Sequence, residues 1–274
     1  MSETRVRLAI EERVARVTLD RPEIRNAFDD RMLAELRDIF QALGRRADVR
    51  AVVLTGSGNA FCAGADMHWM RKVKDYTYEE NLEDSTLLAD CLHAVYACAR
   101  PTIARVNGAA IGGGLGLAAA CDIAIAAGDA VLAFSEVRIG LVPACIAPYV
   151  VRRIGEAACR ELFLTGARFS AARALELGLV NQVVEPAALD DAVRERVRQL
   201  LAGGPRAQQA CKELLEKIPA MDPAEARTFT VEMIASLRRS PEAQEGMAAY
   251  LEKRPPSWTE DEGHVQEDTG RQPR

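Results

Sequence analysis

The sequence lacks the features that mark membrane, secreted and nucleic-acid-binding proteins. No apolar run is long enough to cross a membrane, and the N-terminal residues lack the apolar stretch of a secretory signal. Lys and Arg number 35 against 40 Asp and Glu, which gives a formal net charge of -5 without a basic block. We therefore expect a cytoplasmic protein that has no membrane or nucleic-acid partner.

Metal-ligand and disulfide patterns are also missing from the sequence. The three histidines, His68, His93 and His264, are far apart and do not have the spacing of zinc ligands. The seven cysteines include no C-x-x-C pair, and most lie among Ala, Leu and Val. The sequence thus predicts no metal centre, no disulfide framework and a reducing compartment.

What the sequence does contain is enough apolar material for a substantial core, since 49% of its 274 residues are hydrophobic. Strand-like and helical patterns alternate over roughly the first 185 residues, which is typical of an α/β fold with crossover connections. From Ala187 onward the pattern is helical. We place a domain boundary near Gly203, so that residues 1–203 form the core, 204–253 a helical region and 254–274 a disordered polar tail.

The sequence predicts three local features in the first half of the chain. Asp29 or Asp30 is expected to cap a helix that Gly44 ends. Thr55–Asp66 is predicted as a glycine-containing loop, and a long helix is predicted over Tyr78–Ala99.

Two segments rich in glycine and alanine carry the clearest chemical signal. They are Asn59–Met70, NAFCAGADMHWM, and Ala104–Asp122, ARVNGAAIGGGLGLAAACD. Small residues after a strand let the backbone approach a ligand and leave N–H groups free to bind it. The lysine of a phosphate loop and the dinucleotide fingerprint are both absent. Two such segments could form an oxyanion hole, whereas tight packing of a helix on a strand is the alternative.

One carboxylate could complete such a site. Glu136 lies in AVLAFSEVRIGLVP among apolar neighbours. If it faces the same pocket, desolvation raises its pKa and suits it to proton transfer, whereas an exposed edge residue is the alternative. Asp66 is expected to cap the helix that begins near Met67. Arg105 and Arg138 are either site residues or solvated surface charges.

Five segments, taken in order, resemble the crotonase family of enoyl-CoA hydratases and isomerases. RPEIRNAF at Arg21–Phe28 resembles the coenzyme-A-binding loop, and the two glycine-rich segments resemble the two oxyanion segments. FSEVRIGLVP and GARFSAARALELGLVNQVV resemble later parts of the family pattern. The resemblance implies a crotonase-like β-β-α spiral core with a C-terminal helical trimerisation region. It also implies a homotrimer or homohexamer that binds an acyl-CoA thioester and needs no separate cofactor, because coenzyme A is part of the substrate.

The resemblance also assigns roles to residues. It implies oxyanion donors at the backbone N–H groups of Ala65 and Gly113, and a proton-transferring carboxyl group at Glu136. It implies substrate contacts at Arg25, Ala27, Ala63, Asp66, Met67, His68, Gly116 and Arg138. Typical hydratases carry two glutamates, and the first would fall at Gly116, where this sequence has no carboxylate.

The expected activity is hydration of a 2-enoyl-CoA thioester. Enoyl-CoA isomerisation by a single glutamate and a non-catalytic CoA-binding oligomer are the alternatives. ADMHWM and YEENLEDS further resemble bacterial hydratases of branched glutaconyl-type thioesters such as methylglutaconyl-CoA.

Overall fold

The computed structural model describes residues 4–259. The strands are β1 (Val6–Glu11), β2 (Val14–Leu19), β3 (Ala51–Gly56), β4 (Ala60–Cys62), β5 (Thr102–Val106), β6 (Ala109–Ile111), β7 (Ile123–Ala127), β8 (Val131–Ala133), β9 (Arg168–Ser170) and β10 (Gln182–Val184). The helices are α1 (Asp30–Arg45), α2 (Met67–Val73), α3 (Tyr78–Tyr96), α4 (Gly113–Ala120), α5 (Ala147–Thr165), α6 (Ala171–Glu176), α7 (Leu189–Ala202), α8 (Pro205–Lys217), α9 (Pro223–Arg238) and α10 (Pro241–Glu252).

The strands form two sheets that share a repeating connection. The larger sheet has the order β1-β2-β3-β5-β7-β10, and the smaller has the order β4-β6-β8-β9. In each of the pairs β3–β4, β5–β6 and β7–β8, the first strand joins the larger sheet and the second joins the smaller. Neighbouring strands from β2 to β10 are parallel in the larger sheet. This arrangement confirms the predicted α/β fold with a β-β-α spiral.

The core lies between the larger sheet and the helices because both contribute apolar faces. Every residue of β3 is buried. On α1, the buried residues Leu33, Leu36, Phe40 and Leu43 follow the three- and four-residue spacing of one helix face. Asp29 caps α1 by accepting a hydrogen bond from the N–H of Met32, as the sequence indicated.

Gly44 does not end α1, which continues to Arg45. Gly44 keeps a helical backbone instead of the left-handed conformation of a helix-ending glycine. A Cβ built on it would lie 3.5 Å from the backbone nitrogen of Ala99. Gly44 therefore packs at ordinary van der Waals distance from the residues that follow α3, and that helix itself ends at Tyr96 rather than at Ala99.

The predicted loop Thr55–Asp66 contains strand β4, which the sequence analysis missed together with β6. Each of these strands has only three residues. Alternation of polar and apolar residues cannot be recognised over so short a length, and both strands exist because they pair with each other in the smaller sheet.

The chain divides after Leu200 into two compact units. The second unit contains α8, α9 and α10, and the last two begin at the side-chain caps Asp222 and Ser240. Within the described range, 4–259, no helix has the length and apolar character needed to cross a membrane.

The prediction of a disordered tail from Arg254 is wrong for its first residues. Arg254 forms an ion pair with Glu245, and Trp258 donates its indole N–H to the carbonyl oxygen of Ala202 at 3.1 Å. One ion pair and one aromatic side chain thus hold residues 254–259 in place, although their polar composition predicted disorder. Residues 260–274 of the predicted tail lie outside the described residues.

Candidate active site

Three segments singled out in the sequence leave the smaller sheet at the same edge. Strands β4, β6 and β8 are neighbours and run parallel, with Ala60 opposite Ala109 and Ala110 opposite Leu132. Because parallel strands end at the same edge, the residues that follow them come together. These residues are the 63–66 loop, the start of α4 and the segment that contains Glu136.

Two glycines allow the first two of these segments to touch. A Cβ on Gly64 would lie 2.9 Å from the carbonyl oxygen of Ile111, and a Cβ on Gly114 would lie 2.5 Å from that of Cys62. Side chains larger than hydrogen would push the segments apart. The glycines therefore explain the close approach that the sequence pattern indicated.

The N–H group of Ala65 is oriented by a short bridge to Phe28. Phe28 donates its N–H to Gly64 at 2.9 Å and accepts one from Asp66 at 2.8 Å. Because both bonds go to the residues flanking Ala65, its own N–H points away from Phe28. Along the described chain this N–H has no hydrogen-bond acceptor, so it is available to a ligand.

The N–H group of Gly113 is the second candidate donor. Gly113 is the first residue of α4, where N–H groups lack a partner within the helix. The preceding N–H, that of Gly112, donates to the carbonyl oxygen of Ala133 at 2.8 Å. A Cβ on Gly113 would lie 2.6 Å from Cζ of Phe28. Phe28 thus contacts both predicted donor segments, one with its backbone and the other with its ring.

The carboxyl group of Glu136 lies against the start of α4. A Cβ on Gly112 would lie 3.0 Å from Oε1 of Glu136, and Gly112 has a φ of 54°. Oε2 is buried without a hydrogen-bond partner. Burial raises the pKa of Glu136, and its own backbone N–H opposes this only in part. The buried Oε2 and the contact with Gly112 agree with the expectation that this carboxyl group is desolvated.

Gly116 lies one helical turn further along α4 and is buried. A Cβ there would lie 2.1 Å from Cγ2 of Ile146. Ile146 therefore occupies the space into which a side chain at position 116 would extend. Nothing in the sequence around Gly116 pointed to Ile146, because the two residues are far apart along the chain.

Asp66 is engaged inside the protein. Its carboxylate accepts the N–H of His68 as the cap of α2, and it forms an ion pair with Arg21 at 2.8 Å. Burial raises the pKa of Asp66, but the hydrogen bonds from the His68 N–H and from Arg21 outweigh burial and lower it overall. This placement supports the helix-cap interpretation over a direct substrate contact.

The predicted CoA-binding loop is tied to the first oxyanion segment. The N–H of Ala63 donates to the carbonyl oxygen of Arg25 at 2.9 Å, and Arg21 donates to that of Ala27 at 3.0 Å. Asn26, which the sequence analysis missed, is fully buried and donates its side-chain amide to Ala60 at 2.8 Å. Arg25 itself is exposed at a left-handed φ of 55°.

The other predicted site residues are exposed or bind groups of the protein itself. Met67 and His68 are exposed at the start of α2. Arg138 donates its Nε–H to the carbonyl oxygen of Gly166 at 2.8 Å. Arg105 binds Asp190 through two hydrogen bonds, which makes it a structural residue.

Cysteine chemistry does not fit this centre. Cys62, which lies within the first glycine-rich segment, is fully buried, and burial raises the pKa of its thiol to about 12. A thiol with such a pKa carries almost no thiolate at neutral pH. The carboxyl group of Glu136, which lies against Gly112, is a better candidate for proton transfer than this thiol.

Two candidate amide donors and a desolvated carboxyl group against the start of α4 are the arrangement that an enzyme needs to form an enolate from a carbonyl compound. The sequence matches the enoyl-CoA hydratase/isomerase family over residues 9–261. A Rhodobacter capsulatus protein named a probable enoyl-CoA hydratase is 36% identical over 94% of this chain and 99% of its own length. The (E)-benzylidenesuccinyl-CoA hydratase of Thauera aromatica is 32% identical over 92% of this chain and 98% of its own.

Solved structures agree with this match. The crystal structure of an enoyl-CoA hydratase from Shewanella pealeana superimposes with a TM-score of 0.90 at 38% identity, covering 93% of this chain and 96% of that one. The chain therefore belongs to the enoyl-CoA hydratase/isomerase family, the crotonases, and is an enzyme of that family.

Proposed function

We propose that this protein is an enoyl-CoA hydratase that adds water across the C2=C3 bond of a 2-enoyl-CoA thioester. Coenzyme A is part of the substrate, and no separate cofactor takes part. The observation that carries the proposal is the buried carboxyl group of Glu136 against Gly112, next to the first N–H of α4. The names of the relatives support the same reaction.

The chemistry follows from charge development on the thioester. As the water oxygen bonds to C3, the π electrons of C2=C3 move toward the thioester oxygen and form an enolate. The N–H groups of Ala65 and Gly113 would bind that oxygen, each contributing roughly 3 kcal/mol by analogy with other oxyanion holes. Glu136 would then deliver a proton to C2 as the enolate collapses.

Isomerisation of a 3-enoyl-CoA is the second candidate, and Gly116 favours it. One carboxyl group suffices for that reaction, because Glu136 can remove a proton at C2 and return it at C4. A CoA-binding oligomer without catalytic activity is the third. The three functions give different signals, namely loss of 2-enoyl absorbance with a 3-hydroxy product, gain of 2-enoyl absorbance, or neither.

The substitution Glu136→Gln tests the role of this carboxyl group. We expect turnover to fall by at least about 100-fold, since positioned acid–base groups contribute about that much or more. CoA binding, measured by calorimetry, should stay within about twofold of the wild type, because an uncharged group of the same shape remains beside Gly112.

Glu156→Gln is the matched control, since the Glu156 side chain is 75% exposed on α5. Its turnover should equal that of the wild type. A Glu136→Gln enzyme with near-normal turnover would remove Glu136 from the reaction and overturn the assignment.

We further propose that the acyl group is of the branched glutaconyl type. The support is the resemblance of ADMHWM and YEENLEDS to such hydratases, and the position of Arg138 in the turn that begins with Glu136. Nε of Arg138 binds Gly166, while the residue as a whole is exposed. Its remaining N–H groups could bind the distal carboxylate of a glutaconyl group.

We propose that the protein assembles as a trimer or hexamer through its second unit and that it works in the cytoplasm. The helices of this unit expose several large apolar side chains. Exposed apolar surface of this kind is typical of sites where protein chains associate. The exposed side chains are Leu215, Val231, Ile234, Met247, Tyr250 and Leu251.

A further inference from the structure

Hydration requires two proton transfers, one from water and one to C2, and position 116 cannot supply a carboxyl group for either. Ile146 closes the space beyond Gly116. The following inference rests on the proposed hydratase function and identifies the group that takes the place of the missing carboxylate.

The wall beyond Gly116 is built by Ile146, its neighbour Cys145 and helix α3. The thiol of Cys145 donates to the carbonyl oxygen of Ser85 at 3.7 Å, which brings this part of α3 against the wall. Asp84 is the residue next to Ser85 on α3. The carboxyl group of Asp84 also lies near this thiol, because its charge raises the pKa of Cys145. Asp84 therefore belongs to the surroundings of Cys145 and Ile146, toward which a side chain at position 116 would extend.

The side chain of Asp84 binds Trp69, which is connected through Phe28 to the candidate amide donor Gly113. Its Oδ1 accepts the indole N–H of Trp69 at 3.0 Å. Trp69 packs on Phe28 with the ring centroids 5.8 Å apart, and Phe28 contacts Gly113. Within residues 4–259, Oδ2 of Asp84 has no hydrogen-bond partner, so one oxygen remains available to water.

The surroundings of Asp84 make its ionised form a stronger base. Burial raises its pKa, the hydrogen bond from Trp69 opposes this, and the charge of Asp30 raises it further. The titratable groups around it are Asp30 at the start of α1, Tyr76 before α3 and Cys145 on the wall. These groups are acids, so none of them supplies a positive charge that would hold the pKa of Asp84 down.

We propose that Asp84 is the second acid–base carboxyl group of the hydratase. Its carboxylate takes a proton from water as the water oxygen bonds to C3 and the C2=C3 π electrons move to the thioester oxygen. Protonated Glu136 gives its proton to C2, and the enolate electrons form the C2–H bond. Solvent water then carries the proton from Asp84 back to Glu136, so that one water molecule has been added.

The test compares two reactions in the full-length enzyme. Hydration is followed with crotonyl-CoA, whose acyl group is uncharged, and proton exchange at C2 is followed with butyryl-CoA in D₂O. Asp84→Asn keeps the acceptor for Trp69 but cannot take a proton. We expect its hydration rate to fall at least about 100-fold while C2 exchange stays within about twofold, because exchange needs only Glu136 and the amide donors.

Three further variants complete the design. Asp84→Glu, which keeps a carboxyl group, should recover part of the hydration rate, and Asp90→Asn on the exposed side of α3 should behave as wild type. Glu136→Gln should lose both reactions. The pH profile gives an independent readout, since Asp84 must be ionised to act as a base. Hydration should therefore fall as pH drops through its raised pKa, and Asp84→Asn should lose this acid limb.

Equal loss of hydration and C2 exchange in Asp84→Asn, without recovery in Asp84→Glu, would show a structural role and overturn the inference. Unchanged hydration in Asp84→Asn would overturn it as well while leaving the hydratase function in place. A wild-type enzyme that exchanges protons at C2 but hydrates no 2-enoyl-CoA would instead refute the proposed function, and the inference with it.

Discussion

Three carboxyl groups, those of Asp66, Glu136 and Asp84, illustrate how surroundings give the same chemical group different properties. Asp66 binds Arg21 and the start of α2, so its pKa is lowered and it stays ionised. Glu136 and Asp84 are desolvated and lack a cationic partner in the described interactions, so their pKa values are raised. Ion pairing suits a carboxylate to holding a loop, whereas desolvation suits it to proton transfer.

Arg138 gives the prediction that belongs to the residue scale. If its guanidinium binds a distal carboxylate, Arg138→Ala should reduce kcat/KM for methylglutaconyl-CoA by roughly 10- to 100-fold, the value of a lost charge-assisted hydrogen bond. The rate with crotonyl-CoA should change by less than about twofold. Steady-state kinetics with the two substrates measure the difference. Equal losses on both would argue against recognition of the distal carboxylate.

At the scale of elements, helix α4 connects one candidate amide donor, Gly113, to the core. Its N-terminus carries the N–H of Gly113, and Arg153 holds its other end by donating to the carbonyl oxygen of Ala119 at 2.8 Å. Its glycines touch Cys62, Phe28 and Ile146. A short helix held at both ends keeps the dipoles of its backbone N–H groups in fixed positions. Donors that need not reorganise stabilise a developing negative charge best, so such a helix suits an oxyanion hole.

The contact of Gly116 with Ile146 gives a stability prediction. Because a Cβ at position 116 would lie 2.1 Å from Ile146, Gly116→Ala should lower the free energy of unfolding by roughly 1–3 kcal/mol, the usual cost of overpacking. Urea unfolding measures the change. In the double variant with Ile146→Ala, the loss in free energy of unfolding should be smaller than the sum of the losses in the two single variants.

Gly128→Ala serves as the control for this series. A Cβ there lies no closer than 3.5 Å to any other atom of its surroundings, so its unfolding free energy should match the wild type within about 0.5 kcal/mol. Strict additivity of Gly116→Ala and Ile146→Ala would contradict the direct contact.

At the scale of the whole molecule, the two compact units differ in secondary structure. The first contains both sheets and the candidate active site. The second consists of helices that expose apolar side chains, and the exposed fraction of Tyr250 is 84%. Exposed apolar surface of this kind is a feature of chains that associate, and it is the physical support for the proposed trimer or hexamer.

Sedimentation equilibrium of the full chain should give three or six times the mass of one chain. Ile234→Glu, which places a charge on the apolar surface of α9, should shift the protein toward smaller species because a buried unpaired charge is costly. Glu216→Gln on the exposed surface of α8 is the control and should leave the mass unchanged. A wild-type protein that sediments as a monomer would refute the proposed assembly.

Most of the fold could be predicted from the sequence where elements are long. The apolar spacing of α1 and the capping residue Asp29 predict that helix correctly, because a helix of this length repeats its pattern several times. Strands β4 and β6 were missed because three residues are too few to show the polar–apolar alternation of a strand.

The candidate site segments were found, since glycine and alanine after a strand have few structural explanations. Asn26, Ile146 and the Trp69–Asp84 pair were not, because their roles depend on residues distant in sequence.

The sequence by itself determined the fold class, the family and the order of the segments that carry the chemistry. These follow from local composition and spacing, which need no knowledge of which segments meet. Only the tertiary structure decided that Ile146 closes the space at Gly116 and that Glu136 lies against Gly112 with an unpartnered oxygen. Contacts of this kind depend on how strands from different turns of the spiral align. Desolvation, which sets the pKa of a carboxyl group, therefore exists only once the chain is folded.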